Sequence, residues 1–174
     1  MPRLPALVFF LVLVMTPPLP GQAAPRPEDV ATLDGLITAF YDVVSGPAGG
    51  RPDRDRDHTL HWPGARIGLP RQTADGPKLG TMSLDEYHDR FGEPRREAFY
   101  EVELHRQVQR FGMIAHVWST YGYSDRPGGT IQQRGINSIQ CYWDGARWWI
   151  LGWVYDTERA GNPIPGEYLS PAPR

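Results

Sequence analysis

The apolar residues in the first part of the chain recur at helical spacing. Between residues 28 and 45 they form one stripe with steps of three and four, made of Val30, Leu33, Ile37, Phe40, Tyr41 and Val44. This spacing predicts an amphipathic helix, and the acids Glu28 and Asp29 suit its first turn. The glycine-rich stretch GPAGG at residues 46–50 ends the predicted helix.

Two shorter helices are predicted before residue 97. Residues 51–70, RPDRDRDHTLHWPGARIGLP, predict a short charged helix followed by a Pro-Gly turn. Three residues are expected as the buried anchors of this stretch: Leu60, Trp62 and Ile67. Residues 73–80, TADGPKLG, predict a loop. Ser83 followed by Glu86 matches a capping box, which predicts a third helix in residues 83–94.

From Phe99 to Asp156 the apolar period is close to two, which is typical of β-strands. Four long strands are predicted, in residues 98–111, 112–124, 133–143 and 147–156. Short turn signals join them, so neighbouring strands are expected to pair as antiparallel hairpins. Helices followed by strands, without βαβ alternation, predict an α+β fold in which the N-terminal helices cover one face of a strongly curved antiparallel sheet.

The chain begins with the pattern of a secretory signal peptide. Arg3 precedes an apolar run at residues 4–15, and the small residues Gly21 and Ala23 follow. Cleavage after Ala23 is therefore expected, with a secreted or periplasmic product. The apolar run is short against the ~20 residues that span a bilayer, so no membrane span is expected after cleavage.

Length and composition restrict the class of protein. The chain has 174 residues, which suits one domain, predicted as residues 24–165 with a Pro-rich tail at 166–174. The net charge of −2 and the pI near 6.2 argue against a nucleic-acid partner, which ordinarily requires a basic face. Cys141 is the single cysteine of the sequence, so it forms no intrachain disulfide and is expected as a small buried residue.

The order of these elements resembles the nuclear transport factor 2-like superfamily, also called SnoaL-like. The resemblance covers about residues 28–165 and is carried by the phrases ITAFYDVVSG, HWPGARI, AHVWSTYGY, RGINSIQCYWDGARWWIL and NPIP. It implies a cone, with the sheet bent around a hydrophobic cavity, and a homodimer formed through the outer sheet face. Families of this kind include isomerases, dehydratases, hydrolases, cyclases and ligand-binding domains, so the fold alone selects no reaction.

In enzymes of this superfamily an acid or a histidine on the inner sheet wall acts as general base. Simple alternation in the strand at residues 98–111 predicts an inner face of Tyr100, Val102, Leu104, Arg106 and Val108. Glu101, Glu103 and His105 are then predicted to point away from the cavity. Arg106 is the charged exception on the inner face. It is expected to bind a ligand carboxylate or to pair with an acid such as Asp42 or Asp156.

Seven residues are expected to line the pocket: Tyr41, Trp62, Arg106, Ser119, Tyr121, Asn137 and Trp153. Ser119, Tyr121 and Asn137 share faces with apolar neighbours, where they either offer hydrogen bonds to a ligand or satisfy the backbone. Asp156 is the best-placed carboxylate for a cavity mouth, and its alternative is an exposed acid at a strand end. The catalytic candidates are Asp156 and Tyr121.

Two possible metal motifs fail on inspection. Asp53, Asp55 and Asp57 resemble the start of a calcium loop, but His58 stands where a glycine is needed and no glutamate closes the loop. His58 and His61 are three residues apart, without further matched ligands nearby. No metal and no cofactor are therefore expected.

The last predicted strand is apolar on both sides. Alternation groups Trp149, Leu151, Trp153 and Tyr155 on one face and Trp148, Ile150, Gly152 and Val154 on the other. A strand of this kind is covered on both faces, here by the cavity contents and by a second subunit. The favoured function is an exported, non-catalytic domain that binds a small apolar or amphipathic molecule or serves as a scaffold. The alternatives are a lyase, isomerase or cyclase with a carboxylate base in the cavity, and a protein-interaction role.

Overall fold

The computed structural model describes residues 23–169 as an α+β fold, with helices packed on one face of a curved sheet. The helices are α1 (Pro27–Val30), α2 (Leu33–Val44), α3 (Arg54–Leu60) and α4 (Leu84–Phe91), and a single 3₁₀ turn lies at Gly166–Tyr168. The strands are β1 (His61–Thr73), β2 (Gly76–Ser83), β3 (Tyr100–Phe111), β4 (Ile114–Ser124), β5 (Gln133–Trp143) and β6 (Trp148–Thr157). Apart from Ala23, the expected signal peptide lies outside the described residues, as do residues 170–174 of the expected tail.

The predicted fold class is confirmed, but the sheet is mixed rather than purely antiparallel. Its strand order in the described part of the chain is β2-β1-β6-β5-β4-β3. Neighbouring strands are antiparallel except for β1 and β6, which run parallel. The four predicted strands correspond to β3–β6, and the sequence reasoning missed β1 and β2.

The hairpin of β1 and β2 was missed because its sequence carries residues typical of turns. Pro63 and Gly64 lie inside β1, where the pairing with β6 shifts between His61 and Arg66. Gly64 has a φ of +91°, a conformation that favours glycine. It produces an irregularity within β1 at the position where a turn was predicted. Pro77 lies in β2, which is an edge strand and therefore tolerates a missing N–H donor.

Local capping explains where the helices begin. The predicted first helix is divided in two, because the Thr32 hydroxyl accepts a hydrogen bond from the Gly35 N–H at 3.0 Å and starts α2 there. The predicted capping box of α4 is confirmed, with Ser83 and Glu86 each bonding the backbone of the other. No helix within residues 23–169 is long and apolar enough to cross a membrane.

The core lies between α2 and the inner face of the sheet. Its most deeply buried large side chains include Leu36, Ile37, Leu60, Ile67, Ile139 and Ile150. Cys141 is buried among them, and burial raises the pKa of its thiol to about 12. A thiol with that pKa stays protonated at neutral pH, so Cys141 is a packing residue.

A β-bulge in β3 inverts the predicted alternation in the first part of that strand, up to Leu104. Glu103 pairs with Tyr121 and His105 pairs with Thr120, so Leu104 is the extra residue. Glu101 and Glu103 therefore lie on the inner face, and the prediction that they point outward is wrong. His105 lies on the other face, as expected, together with Val102 and Leu104.

A second bulge, at Leu151 in β6, redistributes the tryptophans. Cys141 pairs with Ile150 and Gln140 pairs with Gly152, so Leu151 has no partner across the strand. Trp148 and Ile150 consequently share the inner face with Trp153 and Tyr155. Trp149 and Val154 lie on the outer face, which corrects the predicted grouping of this strand.

Candidate active site

A cavity of about 450 Å³ lies between α2, α4 and the inner face of β3–β6. Its wall is mainly aromatic, with Phe40, Tyr87, Tyr121, Trp153 and Tyr155 as the large contributors. Phe40 and Tyr87 meet the ring of Trp153 edge to face, at centroid distances of 5.5 and 5.7 Å. The volume and the apolar wall are typical of a site for a small organic molecule.

Glu101 is the one acid in this cavity wall among the described residues. Burial raises the pKa of its carboxyl to about 8, and no described cationic group or hydrogen-bond donor offsets this effect. Its backbone is held by Ser45, whose hydroxyl oxygen accepts a hydrogen bond from the Glu101 N–H at 2.9 Å. Both protonation states of the carboxyl are therefore accessible near neutral pH, which is the requirement for a general acid–base group.

Three tyrosine hydroxyl groups lie close enough to Glu101 for its charge to affect their pKa values. Burial, and after it the charge of Glu101, raises the pKa of Tyr87, Tyr121 and Tyr155. These side chains remain phenols at neutral pH and can donate hydrogen bonds. Gly135 pairs with Tyr121 on the neighbouring strand, and any larger side chain there would collide with the Tyr121 hydroxyl.

Behind the cavity wall, a buried chain of hydrogen bonds holds Asn137. The Asn137 side-chain amide donates to the Tyr41 hydroxyl at 3.1 Å, and the Tyr41 and Ser119 hydroxyls are 2.7 Å apart. Ser119 in turn donates to a Glu103 carboxylate oxygen at 2.5 Å. Because the Ser119 proton is used on Glu103, the Tyr41 hydroxyl must donate to Ser119 and accept from Asn137. This fixes the orientation of the Asn137 side chain in the cavity wall.

Arg106 lies on the inner face, as predicted, but it pairs with different acids from those expected. Its guanidinium donates to the two Glu103 carboxylate oxygens at 2.6 and 2.9 Å and to Asp34 at 2.5 Å. Neither Asp42 nor Asp156 is its partner. With these acids around it, Arg106 anchors α2 to β3 and does not line the cavity.

Six of the predicted site residues fall into two groups. Tyr121, Asn137 and Trp153 line the cavity, while Tyr41, Ser119 and Arg106 lie directly behind its wall.

Trp62 and Asp156 lie elsewhere. The Trp62 ring packs on the outer face against Trp149 and Tyr142, at centroid distances of 5.4 and 5.8 Å. Asp156 is exposed and pairs with Arg159 at 2.6 Å. The structure therefore contradicts the expectation that Trp62 lines the pocket and that Asp156 serves its mouth. Trp62 directly follows His61, which is buried and pairs with Ile150 on the inner face, so alternation places Trp62 on the outer face. Asp156 pairs with Ile136 on the outer face of the sheet.

A second buried polar cluster lies beside the cavity wall, between α3, β1 and α4. The Asp57 carboxylate lies 2.9 Å from His88 Nε2 and 3.2 Å from His61 Nδ1. Burial acts to raise the pKa of Asp57, but the two histidines outweigh it and lower the pKa to about 2. The alternating charges of α3 are typical of a solvated helix face, whereas Asp57 is buried. Between residues 23 and 169 no group of three His, Cys, Asp or Glu side chains is arranged to hold a metal ion.

Comparison with known proteins finds similarity in the fold only. No family profile matches the chain, and no curated protein matches it. One similar solved structure is an NTF2-like protein of unknown function from Silicibacter pomeroyi, at 15% identity, 74% coverage of this chain, 94% of that chain and a TM-score of 0.48. A second, from Shewanella baltica, has 16% identity, 74% and 98% coverage and a TM-score of 0.45.

A third NTF2-like protein of unknown function, from Methylobacillus flagellatus, has 11% identity, 74% and 95% coverage and a TM-score of 0.45. All three proteins are described as NTF2-like and of unknown function. These descriptions concern the fold and say nothing of a ligand or a reaction.

Proposed function

We propose that this protein is a small-molecule enzyme that transfers a proton within its aromatic cavity, with Glu101 as the general acid–base group. The observation that carries the proposal is the Glu101 carboxyl in the cavity wall, with a pKa raised to about 8 by burial. This is the lyase, isomerase or cyclase alternative of the sequence analysis, with Glu101 in the role that Asp156 was expected to fill.

The cavity supports such a reaction in three ways. The aromatic wall around Trp153 binds an apolar or amphipathic substrate by excluding water from it. Ionised Glu101 removes a proton from the substrate and, once protonated, returns it to another atom of the substrate or to a leaving group. The phenol groups of Tyr121 and Tyr155 donate hydrogen bonds to negative charge that develops on a substrate oxygen.

A generic proton-transfer probe tests this proposal without knowledge of the natural substrate. In nitrobenzisoxazole, removal of the ring C–H proton by a base forms a nitrile, breaks the N–O bond and releases a coloured nitrophenolate. We expect turnover that increases with pH and levels off above about 8, as Glu101 ionises. Glu101→Gln should lower the rate by a factor of about 10²–10⁴.

Asp156→Asn is the matched control, because it removes an acid that lies outside the cavity. Turnover by Glu101→Gln at the wild-type rate would refute the catalytic role of Glu101. The favoured hypothesis from the sequence, ligand binding without catalysis, would then account for the cavity if small apolar molecules still bind there.

We also propose a homodimer through the outer sheet face. Val102, Leu104, Ile114, Leu151 and Val154 expose at least 39% of their surface, and exposed apolar groups of this kind mark interaction sites. Part of the outer face of β4 is already covered, because the Thr120 hydroxyl donates to the Tyr168 carbonyl at 2.7 Å. Light scattering of the wild type and of Leu104→Glu tests this arrangement, since the variant should have half the wild-type mass.

Export to the periplasm or the medium is a further proposal, supported by the sequence alone. The charge at Arg3, the apolar run at residues 4–15 and the small residue Ala23 are its basis. Mass spectrometry of the protein from the exported fraction should find Ala24 as the first residue. A full-length product inside the cell would contradict export.

A further inference from the structure

Arg95 brings a second charged side chain to the cavity that contains Glu101. It lies in the segment between α4 and β3, and its side chain contributes to the cavity wall. Arg95 Nη2 donates a hydrogen bond to the Val44 carbonyl at 2.5 Å. Its backbone is tied to the preceding loop, because Arg95 N–H donates to Gly50 and Arg95 carbonyl accepts from Gly49, both at 2.9 Å. The guanidinium is therefore held in place before any ligand arrives.

The loop at residues 46–50 leaves room for this guanidinium because the two residues next to it, Gly46 and Gly50, lack side chains. A Cβ atom at Gly46 would lie 3.0 Å from Arg95 Nη1, and one at Gly50 would lie 3.4 Å from it. Larger residues at these two positions would press on the guanidinium. The close approach of these two glycines to the guanidinium indicates that the loop determines the position of Arg95.

No carboxylate of the described chain balances the charge of Arg95. Burial lowers the pKa of its guanidinium, and the smaller opposing effects come from the phenol groups of Tyr87 and Tyr100, not from a carboxylate. Its Nη1 atom is buried and has no hydrogen-bond partner between residues 23 and 169. By contrast, Arg56 and Arg106 are paired with Asp29 and Glu103 at 2.8 and 2.6 Å.

Arg95 and Glu101 line one cavity without forming an ion pair. Neither group influences the pKa of the other, so each is open to a separate part of a ligand. A half-buried guanidinium with one unpartnered nitrogen and no carboxylate beside it is costly, and an anionic group on a ligand reduces that cost by making charge-assisted hydrogen bonds. Arg presents a planar fork that matches the two oxygens of a carboxylate.

We infer that the cavity binds a substrate with an anionic carboxylate head group and an apolar body, with Arg95 binding the carboxylate and the apolar body extending along the aromatic wall toward Glu101. This inference rests on the proposed function for the role of Glu101, but the binding of the carboxylate by Arg95 can be tested without any turnover. Glu101 remains protonated and uncharged below its pKa of about 8. At neutral pH it therefore does not repel an anionic ligand.

Two probes with the same apolar body test the role of Arg95. Phenylbutyrate carries a carboxylate, and phenylbutanol carries a hydroxyl in its place. Calorimetric titration of the mature protein near neutral pH should show phenylbutyrate binding about tenfold tighter than phenylbutanol. Arg95→Gln should remove this preference and leave the affinity for phenylbutanol unchanged, which also shows that the cavity is intact.

Arg51→Gln is the matched control. It removes the same charge from the neighbouring loop, where Arg51 is exposed and pairs with Glu93 outside the cavity. The control should keep the full preference for the carboxylate. Any of three results would overturn the inference. The wild type could bind the two probes with equal affinity, it could bind neither probe, or Arg95→Gln could keep the preference for the carboxylate.

Glu101→Gln separates this inference from the proposed function. The variant should keep the preference for phenylbutyrate, because Arg95 is unchanged, while it loses turnover of nitrobenzisoxazole. If turnover persists but the preference is lost in Arg95→Gln, the inference stands and the catalytic role of Glu101 fails. If turnover is lost and the two probes bind the wild type equally, the proposed function stands and the carboxylate site fails.

Discussion

The structure places two carboxylates in opposite chemical situations, with Asp57 fully buried beside the cavity and Glu101 half-buried in its wall. Asp57 meets two histidine rings, and they lower its pKa to about 2. Glu101 meets no described cation and no described hydrogen-bond donor, and burial raises its pKa to about 8. The same residue chemistry thus yields a permanent ion at one site and a group that titrates near neutral pH at the other.

The difference shows how one small domain separates stability from reactivity. The ion pairs of Asp57 link α3 to β1 and α4, so the negative charge contributes to the fold. Glu101 makes no such link through its carboxyl, and its ionisation costs stability. Because the Glu101 carboxyl does not stabilise the fold, it is available to a substrate. Its raised pKa agrees with the general observation that perturbed pKa values are concentrated in active sites.

The largest expected effect is the loss of stability in Asp57→Asn. The substitution leaves His61 and His88 buried without their negative partner, which should lower the free energy of unfolding by about 3–5 kcal/mol. Urea denaturation measures the change. Asp55→Asn is the matched control, because Asp55 is exposed on the same helix and should change stability by less than about 0.5 kcal/mol. Equal stabilities of the two variants would contradict a structural role for Asp57.

The pH dependence of stability should carry the same contrast. Asp57 has a lowered pKa, so its contribution is present above 3.8 and is lost as the pH falls toward about 2. Burial acts to lower the pKa of His61, but Asp57 outweighs it and raises that pKa, so the contribution of His61 is full below 6.5 and declines at higher pH. Asp57→Asn should lose both dependences, so they should appear as a pH-dependent difference in stability between the wild type and the variant.

A smaller effect, of opposite sign, is expected for Glu101→Gln. The native carboxyl has a raised pKa, so wild-type stability should decline between pH 4.5 and about 8, where the unfolded chain ionises first. The neutral glutamine escapes this loss. At alkaline pH the variant should be more stable than the wild type by at least about 2 kcal/mol, since one pKa unit corresponds to about 1.4 kcal/mol.

Denaturation of both proteins at acidic and alkaline pH measures this difference. The two should be nearly equal in stability at acidic pH, where Glu101 is protonated in the folded and the unfolded chain. A variant that is less stable than the wild type at alkaline pH would mean that an undetected partner stabilises the Glu101 charge.

The smallest effect is expected from Tyr121→Phe. Loss of one phenol donor beside Glu101 should lower probe turnover about tenfold, since Tyr155 still offers a second donor. Tyr123→Phe is the matched control, because Tyr123 lines the same cavity but packs against Phe99 at a centroid distance of 4.9 Å. A decrease of the same size in both variants would show that Tyr121 has no special role.

Sequence reasoning succeeded where structure is determined by local chemistry. The capping box of α4 involves only Ser83 and Glu86, which are three residues apart, and it is present as predicted. In β4, which pairs regularly with β5, alternation correctly groups Ser119 and Tyr121 with the buried Ala115 and Val117.

The candidate site was misjudged in β3 because a bulge there cannot be seen in a count of alternating residues. The apolar set of Val102 and Leu104 suggested an inner face, yet the outer face of this sheet is apolar as well. Once Leu104 is the extra residue, Glu101, Glu103 and Arg106 share the inner face. The sequence did contain a chemical signal for this site. Glu101 and Glu103 lie in a long strand between apolar neighbours, and acids in such a position need a partner or a function. The pairing of β1 with β6 was also missed, because it joins segments that are far apart in the sequence.

Direct titration of Glu101 tests the central claim. Carbon-13 labelled glutamate allows the carboxyl resonances to be followed by NMR as pH changes, and the spectrum of Glu101→Gln identifies the signal of Glu101 by its absence. We predict a midpoint of about 8 for this carboxyl. A midpoint near the ordinary glutamate value of 4.5 would show that the cavity does not hold a proton on Glu101, and the proposed catalytic role would then fail.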